Sequence, residues 1–325
     1  MKPLLSFVIP FYNVEKYIAQ CLDSVYQQDI PEEDYEVICV NDASPDHSRD
    51  IVLEYQKKHT NLILVEHEVN KKLGAARNTG RKIARGKYVW NVDSDDMVEP
   101  NCLGEIIKQC ETNELDVLVF RHRHLRGEEI LDNDKNTWNE MSEPVSGFNF
   151  WKSQCLDKPG IICPVWNKIF RKDYLNGNGI FSPEINMGED VPFSIEAVLL
   201  AEKVSVINDK YYIHRENPDS LAHSLRKMPS PKTLYENSFV CGKYIHKLVK
   251  RIPREETLII TSVISVEKYT IKLFFTFLND MTKTDVEDFR KLCKKNLFSN
   301  LFVLKVFDII WTLKYFDFLL FGLRK

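Results

Sequence analysis

The chain has 325 residues, a formal net charge of −3, 44% hydrophobic residues and 28% charged residues. This composition is typical of a globular protein large enough for one large domain and a smaller one. The charge gives no electrostatic case for binding nucleic acid, and the first ten residues are too short for a signal peptide. The eight cysteines form no C-x-x-C pair, which favours reduced thiols and a cytoplasmic location.

The first hundred residues predict alternating strands and helices. Short apolar runs indicate strands at 4–10, 35–41, 61–67 and 87–93. Between them we expect helices at 14–27 (with Asn13 as the N-cap), 46–58 and 73–84. Because the strands are almost entirely apolar, this α/β pattern indicates a mostly parallel sheet covered by helices on both faces.

The rest of the chain predicts a helix at 99–114, a strand at 115–121 and a polar hairpin or loop at 123–146. Pro192, a residue favoured in the first turn of a helix, indicates that a helix begins at Asp190. A strand is expected at 211–215. From residue 228 onward the pattern predicts helices at 232–250, 255–280 and 284–295, followed by a last helical run to residue 325.

Polar side chains follow three of the predicted parallel strands, where each strand ends. In such sheets, ligands bind outside the carboxyl ends of the strands. The polar residues that fall there are Tyr12 and Asn13, Asp42 and Ser44, and Asp93 and Asp95. Their convergence predicts a binding site at this edge of the sheet.

Three carboxylates, those of Asp93, Asp95 and Asp96, follow the fourth predicted strand. Mg²⁺ and Mn²⁺ are often held by one or two carboxylates together with the phosphates of a substrate. No G-x-G-x-x-G or P-loop occurs to cradle a diphosphate, so we expect a metal on Asp95 to neutralise it. The alternative is that Ser94 or Asp96 caps a helix at 97–110.

Six segments together resemble one family. They are FVIPFYN at 7–13, VNDASPD at 40–46, GAARNTG at 74–80, DSDD at 93–96, WNKIFR at 166–171 and GED at 188–190. In this order they resemble the family-2 glycosyltransferases of bacterial polysaccharide synthesis, which are inverting enzymes of the GT-A fold with nucleotide-sugar donors. The resemblance covers roughly residues 4–224. It implies a Rossmann-like GT-A catalytic domain at 1–225, with a nucleotide-binding half at 1–98 and an acceptor half at 99–225, before a helical region at 226–325.

The resemblance also implies roles for individual residues. Pro10, Tyr12 and Asn13 would shape the nucleoside pocket, and Asp42 would accept hydrogen bonds from the base. Arg77 would line the nucleotide site, and Asp93 would face the ribose and the metal. Mn²⁺ or Mg²⁺ would be held by Asp95, with His214 as a second candidate ligand. Asp190 would be the general base. The phosphates or the acceptor would be contacted by Glu189, Arg215, Trp166 and Lys168.

Each role has a structural alternative. Asn13 could only cap its helix, Asp42 could only shape a turn with Ser44, and Arg77 could be a solvated helix charge. Asp190 could likewise be a helix cap, and a lone histidine such as His214 is more often packed than a ligand.

The sequence departs from the usual family pattern in two places. In the second-strand motif, Asn41 and Ala43 stand where aspartate and glycine are common. Lys72 also stands where glycine is common, and Gly74 where serine is common. Because Asp42 is retained, we expect base recognition to be unaffected and Lys72 to be exposed.

The function implied is transfer of a sugar, with inversion, from a UDP-sugar to a hydroxyl of a glycan or lipid-linked acceptor. The alternatives are a sugar-phosphate nucleotidyltransferase and a non-catalytic scaffold that binds nucleotide sugars. A glycosidase would have no use for Asp42 and a nucleotide pocket. The apolar run at 301–323 is interrupted by charge too often to span a membrane. The run predicts a helix with an apolar face. This face either lies on the inner side of the cell membrane or packs against the protein core or a second subunit of a homodimer.

Overall fold

A computed structural model describes residues 2–132, 138–139, 141, 143–156, 162–185, 188–217, 231–264 and 284. The chain divides into two compact units. The first comprises Met1–Glu184 and Glu189–Pro218, and the second comprises Ile185–Gly188 and Asp219–Lys325. The residues expected to form the site, from Pro10 to Arg215, all belong to the first unit.

The described part of the first unit contains one sheet of nine strands. The strands are β1 (Leu5–Phe11), β2 (Tyr35–Asn41), β3 (Leu62–Glu66), β4 (Tyr88–Asn91), β5 (Met97–Val98), β6 (Val117–Arg126), β7 (Glu129–Leu131), β8 (Lys168–Arg171) and β9 (Val204–Arg215). Their order is β3-β2-β1-β4-β8-β6-β9-β5, and β7 forms a hairpin with β6. The first four strands are mutually parallel, as predicted. Beyond β4, antiparallel β8 joins them to the parallel pair β6 and β9.

Helices connect the strands and follow them. They are α1 (Ile18–Val25), α2 (Ser48–Lys58), α3 (Leu73–Ile83), α4 (Leu103–Thr112), α5 (Gly147–Phe150), α6 (Lys172–Gly177), α7 (Asp190–Leu199) and α8 (Pro231–Val249). A 3-10 turn at Glu32–Asp34 and a π-helical turn at Trp151–Cys155 complete them, and residues 257–264 are also helical. Within the described ranges, no helix is both long and apolar enough to cross a bilayer.

The two faces of the parallel strands pack against different helices, because successive side chains of a strand point to opposite faces. Phe7 and Ile9 of β1 join a large core with residues of α1, α2 and α4. Val8 joins a smaller core with Ala76 of α3. On this side a Cβ at Gly80 would clash with Val8, so glycine lets α3 lie directly on the sheet.

Two predicted helices begin elsewhere. The predicted cap at Asn13 is wrong: α1 begins at Ile18. The backbone N–H groups of residues 13, 14 and 15 donate instead to side chains in the loop after β2 and at the first residue of α2. The alternative helix at 97–110 is also wrong. Met97 and Val98 pair antiparallel with β9, and α4 begins only at Leu103. The segments predicted as helices at 284–295 and 301–323 lie outside the described residues, apart from residue 284.

Candidate active site

The carboxylate of Asp42 lies just beyond β2 and is almost fully buried, with 4% exposed. Its Oδ1 accepts hydrogen bonds from the backbone N–H of Lys71 (2.8 Å) and from Nδ1 of His67 (2.7 Å). Its Oδ2 accepts one from the backbone N–H of Lys72 (2.9 Å). The alternative role predicted for Asp42 was to shape a turn with Ser44. That turn is formed by Asn41 instead, whose Oδ1 accepts a hydrogen bond from the N–H of Ser44 at 2.8 Å.

Two residues that replace a common family glycine hold a left-handed backbone. Ala43 has φ of 57°, and Lys72 has φ of 76° with ψ of 162°. A side chain in the second conformation costs on the order of 1–3 kcal/mol, because this region is otherwise occupied almost only by glycine. The conformation aims the N–H of Lys72 at Asp42, and Lys72 is exposed, as expected. The strained backbone of Lys72 therefore helps to hold the Asp42 carboxylate in place.

The expected nucleoside-pocket residues have different exposures. Pro10 is buried within β1, in register with Val40 of β2, so only its backbone position shapes the edge. Tyr12 is 48% exposed. Asn13 is exposed with φ of 55°, and its N–H donates to Oγ of Ser44 at 2.7 Å. These contacts bring the loops after β1 and β2 together, as the sequence predicted.

Arg77 of α3 lies at the centre of a buried cluster of charges. Only 3% of it is exposed, which contradicts the alternative of a solvated helix charge. Its Nη2 pairs with Oδ1 of Asp93 at 2.7 Å, and its Nη1 pairs with Oε1 of Glu189 at 2.9 Å. The same Nη1 also pairs with Asp190. Arg77 therefore joins the end of β4 to the first turn of α7.

Burial controls the protonation of the two neighbouring carboxyl groups, Glu189 and Asp190. Burial and then the charge of Asp190 raise the pKa of Glu189 well above its usual range, while Arg77 opposes the shift. Burial also raises the pKa of Asp190, with Arg77 again opposing and Asp93 adding to the rise. The pKa of Glu189 is raised further than that of Asp190, so within this coupled pair Glu189 is the group favoured to hold a proton, while Asp190 pairs with Arg77.

The loop after β4 is bound to the end of β9. Asp96 was a candidate helix cap in the sequence analysis. In the structure its carboxylate accepts hydrogen bonds from the Tyr212 hydroxyl (2.8 Å) and the backbone N–H of Arg215 (2.7 Å). Nε of Arg215 donates to the Asp95 carbonyl at 2.8 Å. The carboxylate of Asp95 accepts from Nδ2 of Asn217 at 2.8 Å. These contacts fix both carboxylates, and burial raises the pKa of each.

His214 belongs to a group of stacked rings. The ring of Trp166 stacks on Tyr212 (centroids 4.6 Å apart) and on His214 (5.3 Å). The carbonyl of Trp166 accepts from Nε1 of Trp90 at 2.7 Å. Trp166 is buried, so in this structure it supports His214. Burial lowers the pKa of His214, which favours the neutral ring that a metal requires.

The donor types at this edge fit a divalent cation. Asp93 and Asp95 offer the carboxylate oxygens that Mg²⁺ and Mn²⁺ prefer. Nδ1 of His214 is buried with no hydrogen-bond partner among the described residues. No set of three or more Asp, Glu, His or Cys side chains in those residues is placed to hold a metal alone. A cation here would therefore need further ligands, such as diphosphate oxygens.

Lys168 does not occupy the position expected of a phosphate contact. Its side chain is fully buried, and burial lowers its pKa to about 7. Its Nζ donates to the Ile162 carbonyl (2.9 Å), to Oδ1 of Asn167 (2.7 Å) and to the Pro164 carbonyl. An ammonium has three donors. All three are used here, so no donor of Lys168 is left to bind a phosphate. The side chain instead holds the loop before β8 in place.

Two residues beside the expected ones were missed by the sequence analysis. His67 binds Asp42, and Asn217 binds Asp95. The only sequence signal for His67 is that it lies one residue beyond β3, just as Asp42 lies one residue beyond β2. Asn217 carries no such signal, because its partner is 122 residues away in the sequence.

Comparisons with known proteins identify the family and the fold. Residues 6–177 match the family described as Glycosyl transferase family 2. The chain is 34% identical over 229 residues to the uncharacterized glycosyltransferase EpsJ of Bacillus subtilis (strain 168). It is also 34% identical over 233 residues to a poly(ribitol-phosphate) beta-glucosyltransferase of Bacillus spizizenii. These alignments cover 68% and 71% of this chain, but 63% and 35% of the two relatives.

The fold is similar to that of a solved relative. The crystal structure of Staphylococcus aureus TarS 1-349 in complex with UDP-GlcNAc matches with a TM-score of 0.64 and 27% identity, covering 84% of this chain and 73% of the TarS chain. The predicted GT-A fold is thereby confirmed. Because the family match spans more than half of the sequence, the chain belongs to glycosyl transferase family 2.

Proposed function

We propose that this chain is an inverting glycosyltransferase that moves a sugar from a UDP-sugar to a hydroxyl of a cell-surface glycan or lipid-linked acceptor. The observation that supports it most is the shared ion pairing of Arg77. One guanidinium binds Asp93, which ends the nucleotide-binding strands, and Asp190, the proposed base. A donor bound over the strand ends would thus have a carboxylate beside it. TarS, whose fold is similar, was solved with UDP-GlcNAc.

The reaction would be a single in-line displacement. The oxygen of the acceptor hydroxyl attacks the anomeric carbon while the bond from that carbon to the diphosphate oxygen breaks. Asp190 accepts the hydroxyl proton, and UDP leaves with the bonding electrons. A divalent cation held by Asp95, and by His214, would stabilise the charge that develops on the leaving diphosphate. Attack from the face opposite the leaving group inverts the anomeric centre.

The surrounding residues support this chemistry in distinct ways. Arg77 opposes the rise in the pKa of Asp190 that burial causes, and so helps Asp190 stay ionised to accept a proton. Asp42 would receive the nucleobase, and Tyr12 offers an exposed ring at the same edge. Glu189 and Arg215 remain proposed contacts of the phosphates or the acceptor. The boundary of the catalytic domain near residue 225, the cytoplasmic location and a membrane or dimer contact of residues 301–323 also remain predictions.

The proposal is tested by incubating the full chain with a panel of nucleotide sugars, with and without Mn²⁺. We expect slow Mn²⁺-dependent hydrolysis of a UDP-sugar. Asp95→Ala should abolish the Mn²⁺-dependent part of UDP binding in calorimetry, whereas Asp209→Ala, at an exposed carboxylate of β9, should not. Release of pyrophosphate from a nucleoside triphosphate would support a nucleotidyltransferase instead. Absence of hydrolysis and transfer with every donor would support a scaffold.

A further inference from the structure

We propose that His67 is a positioning residue for recognition of the nucleobase: a hydrogen-bonded chain from Thr79 through His67 to Asp42 fixes the carboxylate that receives the base. The inference rests on the function proposed above. It assigns a role to a histidine at the end of β3 that the reaction itself does not use.

The chain of contacts is short and buried. Nδ1 of His67 lies 2.7 Å from Oδ1 of Asp42, and Nε2 lies 2.9 Å from Oγ1 of Thr79. The side chains of His67 and Asp42 are 4% and 5% exposed. In a neutral imidazole one ring nitrogen donates and the other accepts. The carboxylate requires a donor at Nδ1, so Nε2 accepts from the Thr79 hydroxyl, and this contact sets both the tautomer and the ring orientation.

His67 determines which acceptor site of Asp42 is left for a ligand. A carboxylate has about four lone-pair sites. Oδ1 already serves His67 and the N–H of Lys71, and Oδ2 serves the N–H of Lys72. One site on Oδ2 remains, and it can only accept. The base that fits is therefore one with a protonated ring nitrogen at this position, as in uracil, whose N3 carries a proton, and unlike cytosine, whose N3 is an acceptor.

Two exposed apolar side chains flank the strand that ends at Asp42. Tyr12 follows β1 and is 48% exposed, and Val69 follows β3 and is 63% exposed. Because the strand order is β3-β2-β1, these side chains come from the strands on either side of β2. A planar base above Asp42 would lie between them and cover apolar surface that is otherwise in water. The proposed base site thus combines two exposed apolar side chains with a single oriented acceptor.

An Asp-His-Thr chain also resembles the triad of a hydrolase, but the position of Thr79 argues against nucleophilic chemistry. Thr79 lies within α3, where backbone N–H groups are engaged in the helix. No pair of them is therefore available to bind an oxyanion beside the hydroxyl. The chain of contacts orients Asp42 and transfers no group.

The test measures the affinity of the full chain for UDP and CDP by calorimetry in the presence of Mn²⁺. His67→Leu should lower the affinity for UDP about tenfold, the effect of losing one hydrogen bond to a charged group, and leave the weaker binding of CDP unchanged. His67→Asn, whose amide nitrogen can replace Nδ1, should restore most of the preference for UDP. His59→Leu is the matched control, because His59 pairs with Glu32, away from the strand ends.

The outcomes separate this inference from the proposed function. Equal losses for UDP and CDP, or no loss for UDP, would overturn the role of His67 while leaving the transferase proposal intact. A wild-type chain that binds neither nucleotide would overturn both. If His67→Leu does not fold, Thr79→Val provides the same test, since it removes the hydroxyl but keeps the side-chain shape. It should lower the ratio of UDP to CDP affinity, and an unchanged ratio would contradict the proposal.

Discussion

The guanidinium of Arg77 forms an ion pair with the carboxylate of Asp190, which is 113 residues away in the sequence. The pair joins α3, which packs on the parallel strands, to the first turn of α7. Through its second amino group Arg77 also holds Asp93. Since all of these groups are largely buried, the proposed base is positioned by the same cation that binds Asp93 in the loop after β4.

Replacing Arg77 should therefore be costly. We expect Arg77→Met to lower the free energy of unfolding by about 3–5 kcal/mol, because it leaves buried carboxylates without their cation. Urea denaturation measures the effect. Arg49→Met is the control, since Arg49 and Glu66 pair on the surface with 46% of each side chain exposed, and it should change little. A loss no larger than that of the control would mean that the Arg77 cluster does not stabilise the fold.

The stability should depend on pH through Glu189. Its pKa is raised in the folded state by burial and by Asp190, so above about pH 4.5 the folded chain binds more protons than the unfolded chain. The contribution of this group therefore falls as the pH rises from there toward its raised pKa. Glu189→Gln removes the titration, so the variant should gain stability relative to wild type between pH 5 and pH 8. Thermal unfolding at several pH values measures the difference, and a constant difference would show that Glu189 ionises normally.

Gly74 stands where the family pattern commonly has serine, and we expect this fold to require glycine at that position for close packing. A Cβ at this position would clash with the backbone carbonyl of Pro183, so Gly74→Ser should force the two segments apart. We expect a loss of about 1–3 kcal/mol, typical of overpacking. Gly177→Ser is the control, because nothing lies within 4 Å of a Cβ there. Equal unfolding temperatures for the two variants would contradict the close approach of the Pro183 segment.

Lys72 should tolerate glycine better than an ordinary helix position does. Lys72→Gly relieves the unfavourable backbone conformation, and we expect stability to be unchanged or to rise by about 1 kcal/mol. Lys82→Gly, at an exposed position within α3, should instead cost about 1 kcal/mol. If Lys72→Gly loses as much as Lys82→Gly, the side chain of Lys72 makes a contribution that exceeds the strain.

The sequence predicted the features that depend on local pattern. Strand β2 begins and ends where its apolar run does, and the polar residues after β1, β2 and β4 lie at one edge of the sheet. Such features follow from side-chain periodicity and from the topology of parallel strands. The family motifs added the GT-A fold, which the solved relative confirms.

Features that depend on distant contacts were not predictable in this way. The start of α1 depends on side chains of the loop after β2, and the pairing of Met97 depends on β9. The burial of Arg77 and the saturation of Lys168 by carbonyl groups likewise require the folded chain. A charged side chain has no sequence signature that separates a buried cluster from a solvated surface.

The central claim is that Asp190 takes the proton of the acceptor hydroxyl, and the rate of sugar transfer by Asp190→Asn tests it most directly. We expect kcat to fall by about 10²–10⁴-fold, the usual contribution of a general base. UDP affinity and the unfolding temperature should stay close to those of wild type. Asp173→Asn, at an exposed carboxylate in the first turn of α6, should transfer at the wild-type rate. A kcat of Asp190→Asn within a few-fold of wild type would contradict the account.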